Sequence, residues 1–191
     1  YLDAVYSAAL QALPYNSAFD EQGNLIGYGS PGFSPRNGNP LVNAVAPRYD
    51  VYTTKILGNV YAKYKILQGL NFRTQVSGDY NSVIEDQYQP TSTIIGGNPD
   101  YAGGKGYGIS AASSFITLIN SNLLTFDKKI GEHNVDVLLG AEILQRVERG
   151  NYVEGRMFPS DDFSYIGSAG IVDAGSSYIV KNGLLSFFGE I

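Results

Sequence analysis

The stretch ILGNVYAKYKILQGLNFRTQVSGDY, residues 56 to 80, decides the fold, because it holds two alternating runs joined at Gln68-Gly69. The second run places apolar or small side chains at every other position from 70 to 80, and hydrophilic ones from 71 to 81. Side chains of a strand point to opposite faces with a period of two, so each face has one character. Each run covers about a dozen residues, roughly twice the usual strand length. The sequence therefore predicts an unusually long β-hairpin.

The first run of this hairpin follows the same rule with two exceptions. Leu57 and Tyr61 fall on the face that is otherwise polar. The polar set is Lys55, Asn59, Lys63 and Lys65, opposite Ile56, Val60, Ala62, Tyr64 and Ile66. One apolar and one polar face are therefore predicted for both runs.

The pattern recurs in residues 116 to 147, where two long runs flank a short turn at Ile130-Gly131-Glu132. The second run is regular, but the first is ambiguous because Asn120 and Asn122 lie among apolar side chains. The regular set is Val135, Val137, Leu139, Ala141 and Ile143, opposite Asn134, Asp136, Gly140 and Glu142; the ambiguous set includes Leu118, Leu124 and Phe126. We expect the two asparagines to lie beyond the apolar band.

Composition supports a β-rich protein and excludes some partners. Only 16% of the 191 residues are charged, while Gly (23) and Tyr (15) are abundant. A net charge of −5, with no cluster of basic residues, gives no electrostatic footprint for nucleic acid. The absence of Cys removes disulfides and thiolate metal sites, which is compatible with an exported protein.

The two ends of the sequence have different patterns. Apolar residues recur at helical spacing from 2 to 13 until Pro14, which predicts a short helix over 2 to 13. The last residues, GLLSFFGEI, form a strand-like run. We expect an excerpt of a longer polypeptide, with a loop region at 1 to 50 and strands with their loops at 51 to 191.

The connections alternate in length. Residues 89 to 109 and 155 to 182 are long segments rich in Gly and Ser, and they alternate with the short turns. Short turns at one end of every hairpin and long loops at the other are typical of outer-membrane β-barrels, which have an apolar outer face and a polar lumen. A soluble β-sandwich also alternates, but the strand length and the order of connections favour the barrel.

The barrel interpretation assigns sides to particular residues. We expect Val76, Val137 and Leu139 to contact lipid, and Arg73, Gln75, Asp136 and Glu142 to face the lumen. The short turns are then periplasmic, and the long loops lie outside the cell.

Few residues suggest site chemistry. The string GGKGYG at 103 to 108 lacks the Ser or Thr that a phosphate loop needs after Lys105, and Pro99 replaces its first Gly. His133, the only histidine, is expected to be a turn residue, and Asp161-Asp162 is expected to be a solvated or loop-capping acidic pair rather than a cation site. We predict no enzyme activity, cofactor or metal.

Aromatic residues of the long loops are the candidate site residues. They are possible contacts for a substrate or a lid, although such residues more often hold a long loop together. The candidates are Tyr88, Tyr101, Tyr107, Phe163, Tyr165 and Tyr178.

Five strings, in order between about Asp20 and Ile191, resemble the barrel of the SusC-like, RagA-like TonB-dependent transporters of Bacteroidetes. They are LGNVYAKYKILQGLNFRTQVSGDY, YQPTS, LLTFDKKIGEHNVDVLLGAE, FPSDDFSYI and LLSFFGEI. Residues 131 to 134 stand where that family has its GKHN turn. Glu190 departs from the usual Arg, and nothing here matches the plug domain or the TonB box.

The resemblance implies an outer-membrane barrel of about 22 strands, of which five are visible. It also implies import of a glycan or peptide, a SusD-like lipoprotein lid over the extracellular mouth, contact with outer-membrane lipid, and energy from TonB. On the same analogy, the loop region at 1 to 50, with its helix and a turn at 20 to 24, lies outside the cell. Because no plug or TonB box is visible, energy coupling cannot be placed on a residue of this chain. A non-energised pore or structural barrel, and a soluble β-rich binding module, remain the alternatives.

Overall fold

Five long strands dominate the computed structural model, which describes residues 2–30 and 38–191. The strands form one sheet in the order β1-β2-β3-β4-β5. The elements are α1 Leu2–Gln11, α2 Pro40–Val45, β1 Arg48–Leu67, β2 Leu70–Gln89, α3 Ile94–Gly97, α4 Pro99–Ala102, β3 Tyr107–Ile130, β4 His133–Arg156 and β5 Ile171–Glu190. The predicted all-β class with five long antiparallel strands is confirmed.

Two-residue turns join β1 to β2 and β3 to β4, as predicted. Gln68-Gly69 and Gly131-Glu132 are these turns. Gly69 has φ 88° and Gly131 has φ 64°, a backbone region that glycine adopts without steric cost. The backbone N–H of Asp127 donates to the Gly69 carbonyl over 2.9 Å, and a Cβ at Gly69 would collide with the Asp127 carbonyl oxygen.

The strands are longer than the sequence predicts, and the second long loop is shorter. β1, β2 and β5 have 20 residues each, and β3 and β4 have 24. The predicted loop 155 to 182 is wrong at its end, because β5 begins at Ile171. Ala174 to Ser177 are small and show no apolar alternation, but backbone ladder hydrogen bonds do not need apolar side chains.

The N-terminal segment is held together by local caps. α1 ends at Gln11, two residues before the predicted end. The buried Asn39 side chain caps α2 through Leu41 and donates to the Ala18 and Ile26 carbonyls over 2.8 and 3.1 Å. The predicted turn at 20 to 24 is present, and the Asp20 carboxylate accepts the Gln22 and Asn24 N–H groups.

The chain divides into two compact units. The first, here called the loop unit, comprises Tyr1–Tyr52, Ile84–Ala112 and Asn151–Ser177. The second, the hairpin unit, comprises Thr53–Val83, Ser113–Gly150 and Tyr178–Ile191. Within the described parts of the chain, every buried residue belongs to the loop unit.

The hairpin unit separates polar and apolar side chains by strand face. On β2 the Arg73 guanidinium donates to Gln75, whose amide donates to Ser77 over 3.1 Å. Arg73 also lies over the Tyr61 ring at 4.7 Å, which explains why an aromatic residue occupies the polar face of β1. Val76, on the opposite side of β2, is 46% exposed.

The ambiguous asparagines of β3 hydrogen-bond locally. Asn122 donates to the Asn120 side chain over 2.8 Å, and Asn120 donates to the Gln75 carbonyl over 3.2 Å. Placing an amide on an apolar face costs less free energy when the amide is hydrogen-bonded than when it has no partner. On the opposite face of β3, the Ser121 hydroxyl donates to the Glu142 carboxylate over 2.6 Å.

Candidate functional site

A carboxylate in the β4–β5 connection clamps the β2–β3 connection of the loop unit. Asp161 accepts hydrogen bonds from the Tyr88 hydroxyl (2.8 Å), the Thr91 hydroxyl (2.7 Å) and the Thr91 backbone N–H (2.9 Å). Asp162 is exposed and, among the described residues, hydrogen-bonds only with Ser160. Asp161 therefore acts as the loop cap that the sequence predicts.

An aromatic pair forms the core beneath this clamp. Phe158 is 1% exposed and meets Tyr88 edge to face, with ring centroids 5.0 Å apart. A Cβ at Gly106 would collide with the Tyr88 ring, and one at Gly108 would collide with Phe158. These two glycines are therefore required for the close approach of the chain to the aromatic pair.

The glycine-rich string at 103 to 108 packs against the same aromatic core. Gly103, Gly104 and Gly106 all have positive φ, which lets the chain turn sharply after α4. The Lys105 carbonyl accepts the Phe158 N–H over 2.7 Å, and Gly106 donates to Gly96 over 2.9 Å. This loop is built around protein contacts, as its poor match to a phosphate loop suggests.

A second polar cluster lies at the outer ends of β3 and β4. Glu154 accepts hydrogen bonds from Tyr107 (2.9 Å) and from Tyr152. Arg156 forms an ion pair with Asp173 at 2.8 Å. These contacts fix the Tyr152 ring, which also lines a cavity.

The predicted aromatic residues fall into three groups. Tyr88 and Tyr107 are buried in strand ends, at 3% and 6% exposure, and their hydroxyls are engaged. Tyr101 in α4, with Phe163 and Tyr165 after β4, are more than half exposed. Tyr178 was predicted in a loop but lies in β5, where it donates to Glu148 over 3.0 Å.

Tyr165 is held in place despite its exposure. The Arg48 guanidinium lies 4.3 Å from its ring centroid. Arg48 also donates to the Ser164 hydroxyl (2.6 Å) and carbonyl (3.0 Å), and its Nε lies 3.3 Å from Asp50. Arg48 thus joins the start of β1 to the β4–β5 connection and fixes the position of the exposed Tyr165 ring.

A cavity of about 580 Å³ lies within the loop unit. Its volume falls within the usual range for small-molecule sites. One side is formed by alternate residues of β2 and by Tyr152, and another by α1 and by the segment from α2 to β1. The lining comprises Val5, Asn43, Ala44, Pro47, Arg48, Tyr49, Glu85, Gln87, Gln89, Ile109, Ala111 and Tyr152.

Among the described residues, two charged side chains line the cavity, and they differ in how they are paired. Arg48 is occupied by Asp50, Ser164 and Tyr165, as described above. Across residues 2–30 and 38–191, no hydrogen bond or ion pair engages the Glu85 carboxylate. The cavity therefore presents an acidic group that has no protein partner in this part of the chain.

The sequence contained a signal for Glu85, Gln87 and Gln89. They lie in register with the polar positions 71 to 81, although the apolar Val83 interrupts the alternation before them. The predicted hairpin stopped near residue 81, so the polar side chains beyond it were not recognised as part of a strand face. Following the period of two up to Pro90 would have found them.

The described residues contain neither a cluster suited to a metal ion nor a membrane-spanning helix. No group of three or more His, Asp or Glu side chains is arranged to hold a metal ion in the ranges 2–30 and 38–191. In the same ranges, no helix is both long and apolar enough to cross a membrane.

No family model matches this chain. In sequence it is similar to TonB-dependent receptor P3 of Formosa agariphila, with 29% identity over 136 residues. That match covers 70% of this chain and 13% of the receptor, so the chain spans only a small part of the length of its relative.

In fold the chain is similar to one chain of the RagAB peptide transporter, with a TM-score of 0.71 and 18% identity. The match covers 90% of this chain and 19% of that chain, and the same values hold for the "closed-closed" and "open-open" states of the RagAB peptide importer. The proteins it resembles are thus a receptor and a transporter. The resemblance predicted from the sequence is confirmed: the chain is similar in sequence to a TonB-dependent receptor and in fold to part of a chain of the RagAB transporter.

Proposed function

We propose that this chain is part of the barrel wall and extracellular rim of a nutrient importer in the outer membrane. The observation that carries the proposal is the match of 90% of the chain to a RagAB chain, combined with sequence similarity to a TonB-dependent receptor. The separated strand faces support it, because a barrel wall needs an apolar outer face and a polar lumen. The imported nutrient is a peptide or a glycan, and TonB supplies the energy.

The direct test is uptake by the full-length protein. Cells expressing it should accumulate labelled peptides or oligosaccharides, and accumulation should stop when the TonB system is deleted. Uptake that persists without TonB would favour the non-energised pore. Absence of any uptake would reject the import function.

The proposed topology places the short turns in the periplasm and the connections at 90–106 and 157–170 outside the cell. Gly167 and Gly131 suit a paired insertion, because a Cβ at either site would meet nothing within 4 Å. A peptide tag at Gly167 should be detected by antibody on intact cells, and a tag at Gly131 only after permeabilisation. The reverse pattern would contradict the topology.

The proposed rim carries a SusD-like lipoprotein lid, and its exposed aromatic side chains supply contact area. Tyr101, Phe163 and Tyr165 are the exposed members of the predicted set. Aromatic residues give large contact area at low entropic cost and are enriched at interfaces. Tyr88 and Tyr107 are buried, so they pack beneath the exposed aromatic residues and do not contact the partner.

Co-purification tests the lid surface. Replacing Tyr101, Phe163 and Tyr165 together by Ala should reduce the amount of lid retained at least several-fold, since interface aromatics are frequent hot spots. The exposed Tyr6 and Tyr15, replaced by Ala, serve as controls for a general loss of aromatic surface. Wild-type lid retention and wild-type uptake in the triple variant would remove these residues from the proposal.

A further inference from the structure

Of the two charged residues that line the loop-unit cavity in the described part of the chain, Glu85 has no protein partner, and this carboxylate bears on what the cavity binds. We propose that it binds a short extended peptide segment that carries a positive charge, with the Glu85 carboxylate as the counter-charge. The proposal rests on the import function above and narrows its substrate class from peptide or glycan to cationic peptide.

The charge balance of the lining favours a cation. Arg48 is the basic residue of the lining, and its guanidinium is committed to Asp50, Ser164 and Tyr165. Glu85 is partly buried and has no partner within the described residues. A partly buried carboxylate gains from a cationic donor, and hydrogen bonds between charged groups are about twice as strong as neutral ones.

The spacing of the lining favours an extended peptide. Glu85, Gln87 and Gln89 follow one another on one face of β2. Alternate residues of a strand repeat every 6.6 Å or so, which is also the repeat of an extended peptide lying alongside it. Because β2 is paired with β1 and β3, such a peptide would lie across the side chains of the strand rather than add to a sheet edge.

The facing side of the cavity suits the stem of a basic side chain. Val5, Ala44 and Pro47 provide apolar lining. Lys and Arg side chains bury their methylene stems against such surfaces while the charged head stays in a polar environment. A neutral glycan would leave the Glu85 carboxylate without an ionic partner, so the observations favour the peptide.

The test uses the full-length transporter with two probes. The probes are fluorescent tetrapeptides with acetylated and amidated ends, one containing a single Lys and the other Gln at that position. Wild type should bind the Lys peptide about tenfold more tightly, the effect of one charged hydrogen bond. The preference should shrink as salt is raised.

Two matched variants locate the effect. Glu85→Gln should abolish the preference for the Lys peptide, whereas Glu132→Gln, the same change in the exposed β3–β4 turn, should leave it at the wild-type value. Equal affinity of wild type for both peptides, or an unchanged preference in E85Q, would overturn the inference.

Parallel uptake measurements separate this inference from the proposed function. If peptides are imported without a charge preference, the cavity assignment is wrong and import stands. If only neutral oligosaccharides are imported, the peptide class is wrong and import still stands. If nothing is imported, both fail.

Discussion

The loop unit contains a packed core, whereas the hairpin unit contains none in the described residues. The buried apolar side chains of the loop unit are Ala8, Val42, Tyr88, Ala102, Tyr107 and Phe158. In the hairpin unit, apolar residues such as Leu57, Val60 and Leu184 are at least 60% exposed. Long strands with one apolar face therefore lack a protein partner here, and a membrane is the environment that would cover that face.

This difference indicates where each unit obtains its stability. Side chains from several connections bury one another in the loop unit, so substitutions there should behave as in a soluble core. In the proposed barrel wall, the hairpin unit would rely on ladder hydrogen bonds, on polar contacts of one face and on lipid at the other. The two units should consequently respond to different kinds of substitution.

The largest effect is expected in the loop-unit core. Phe158→Ala removes a ring that is 1% exposed and packed on Tyr88, and it should lower the free energy of unfolding by about 3–5 kcal/mol. Urea titration of the full-length protein in lipid vesicles measures this change. Phe163→Ala, at 58% exposure, is the control and should change stability by less than about 0.5 kcal/mol. Equal losses for the two variants would mean that the loop unit has no distinct core.

A charge on the apolar face of the hairpin unit should have the next largest effect. Val76→Arg should cost roughly 2–4 kcal/mol near the bilayer midplane and less nearer the interfaces. Ser77→Arg, one residue away on the polar face and two positions from the carboxylate of Asp79, should cost far less. The same urea titration compares the pair, and a similar cost at both positions would overturn the assigned facing.

The clamp between the two loop connections should contribute less than the core. Asp161→Ala leaves the buried Tyr88 hydroxyl and the Thr91 donors without their acceptor, which should cost about 1–3 kcal/mol. Hydrogen exchange of residues 157–170 should rise accordingly. Asp162→Ala is the matched control, because Asp162 contacts only Ser160 and is exposed. The same exchange rates in both variants would rule out the clamp.

The smallest effect concerns pH and the turn at 20 to 24. The backbone N–H of Asn24, with its side chain and the Gln22 N–H, holds the pKa of Asp20 below its usual value. A lowered pKa in the folded state means that the turn is fully stabilised above the ordinary pKa of Asp and loses this contribution as pH falls through the folded value. Exchange protection of the Gln22 and Asn24 amides should decrease in acid in the wild type. Asp20→Asn should show no such pH dependence, and a pH-dependent loss of equal size in that variant would exclude Asp20 as its source.

Local rules were sufficient for much of the fold. The period of two predicted the strands and their faces, and Gly69 and Gly131 marked the two short turns because each adopts a positive φ. The capping role of Asp161 also followed from its chemistry. Tyr61 breaks the polar alternation of β1, and the structure explains it, because the Arg73 guanidinium lies over its ring.

Contacts between residues far apart in the chain could not be predicted from the sequence. The meeting of Tyr88, Thr91 and Asp161 joins positions 70 to 73 residues apart, and no local pattern specifies it. The start of β5 was missed because its small residues pair through the backbone alone. The cavity depends on α1 and α2 approaching the face of β2, which only the folded chain reveals.

The central claim is that the apolar face of the hairpin unit meets lipid while its polar face meets water. The chain has no native cysteine, so single cysteines at Val76, Leu139, Gln75 and Glu142 each report on one site. A fluorophore attached at Val76 or Leu139 should be quenched by brominated lipid, and one at Gln75 or Glu142 by aqueous iodide. The same quenching pattern at all four positions, or the reverse assignment, would contradict the barrel-wall account.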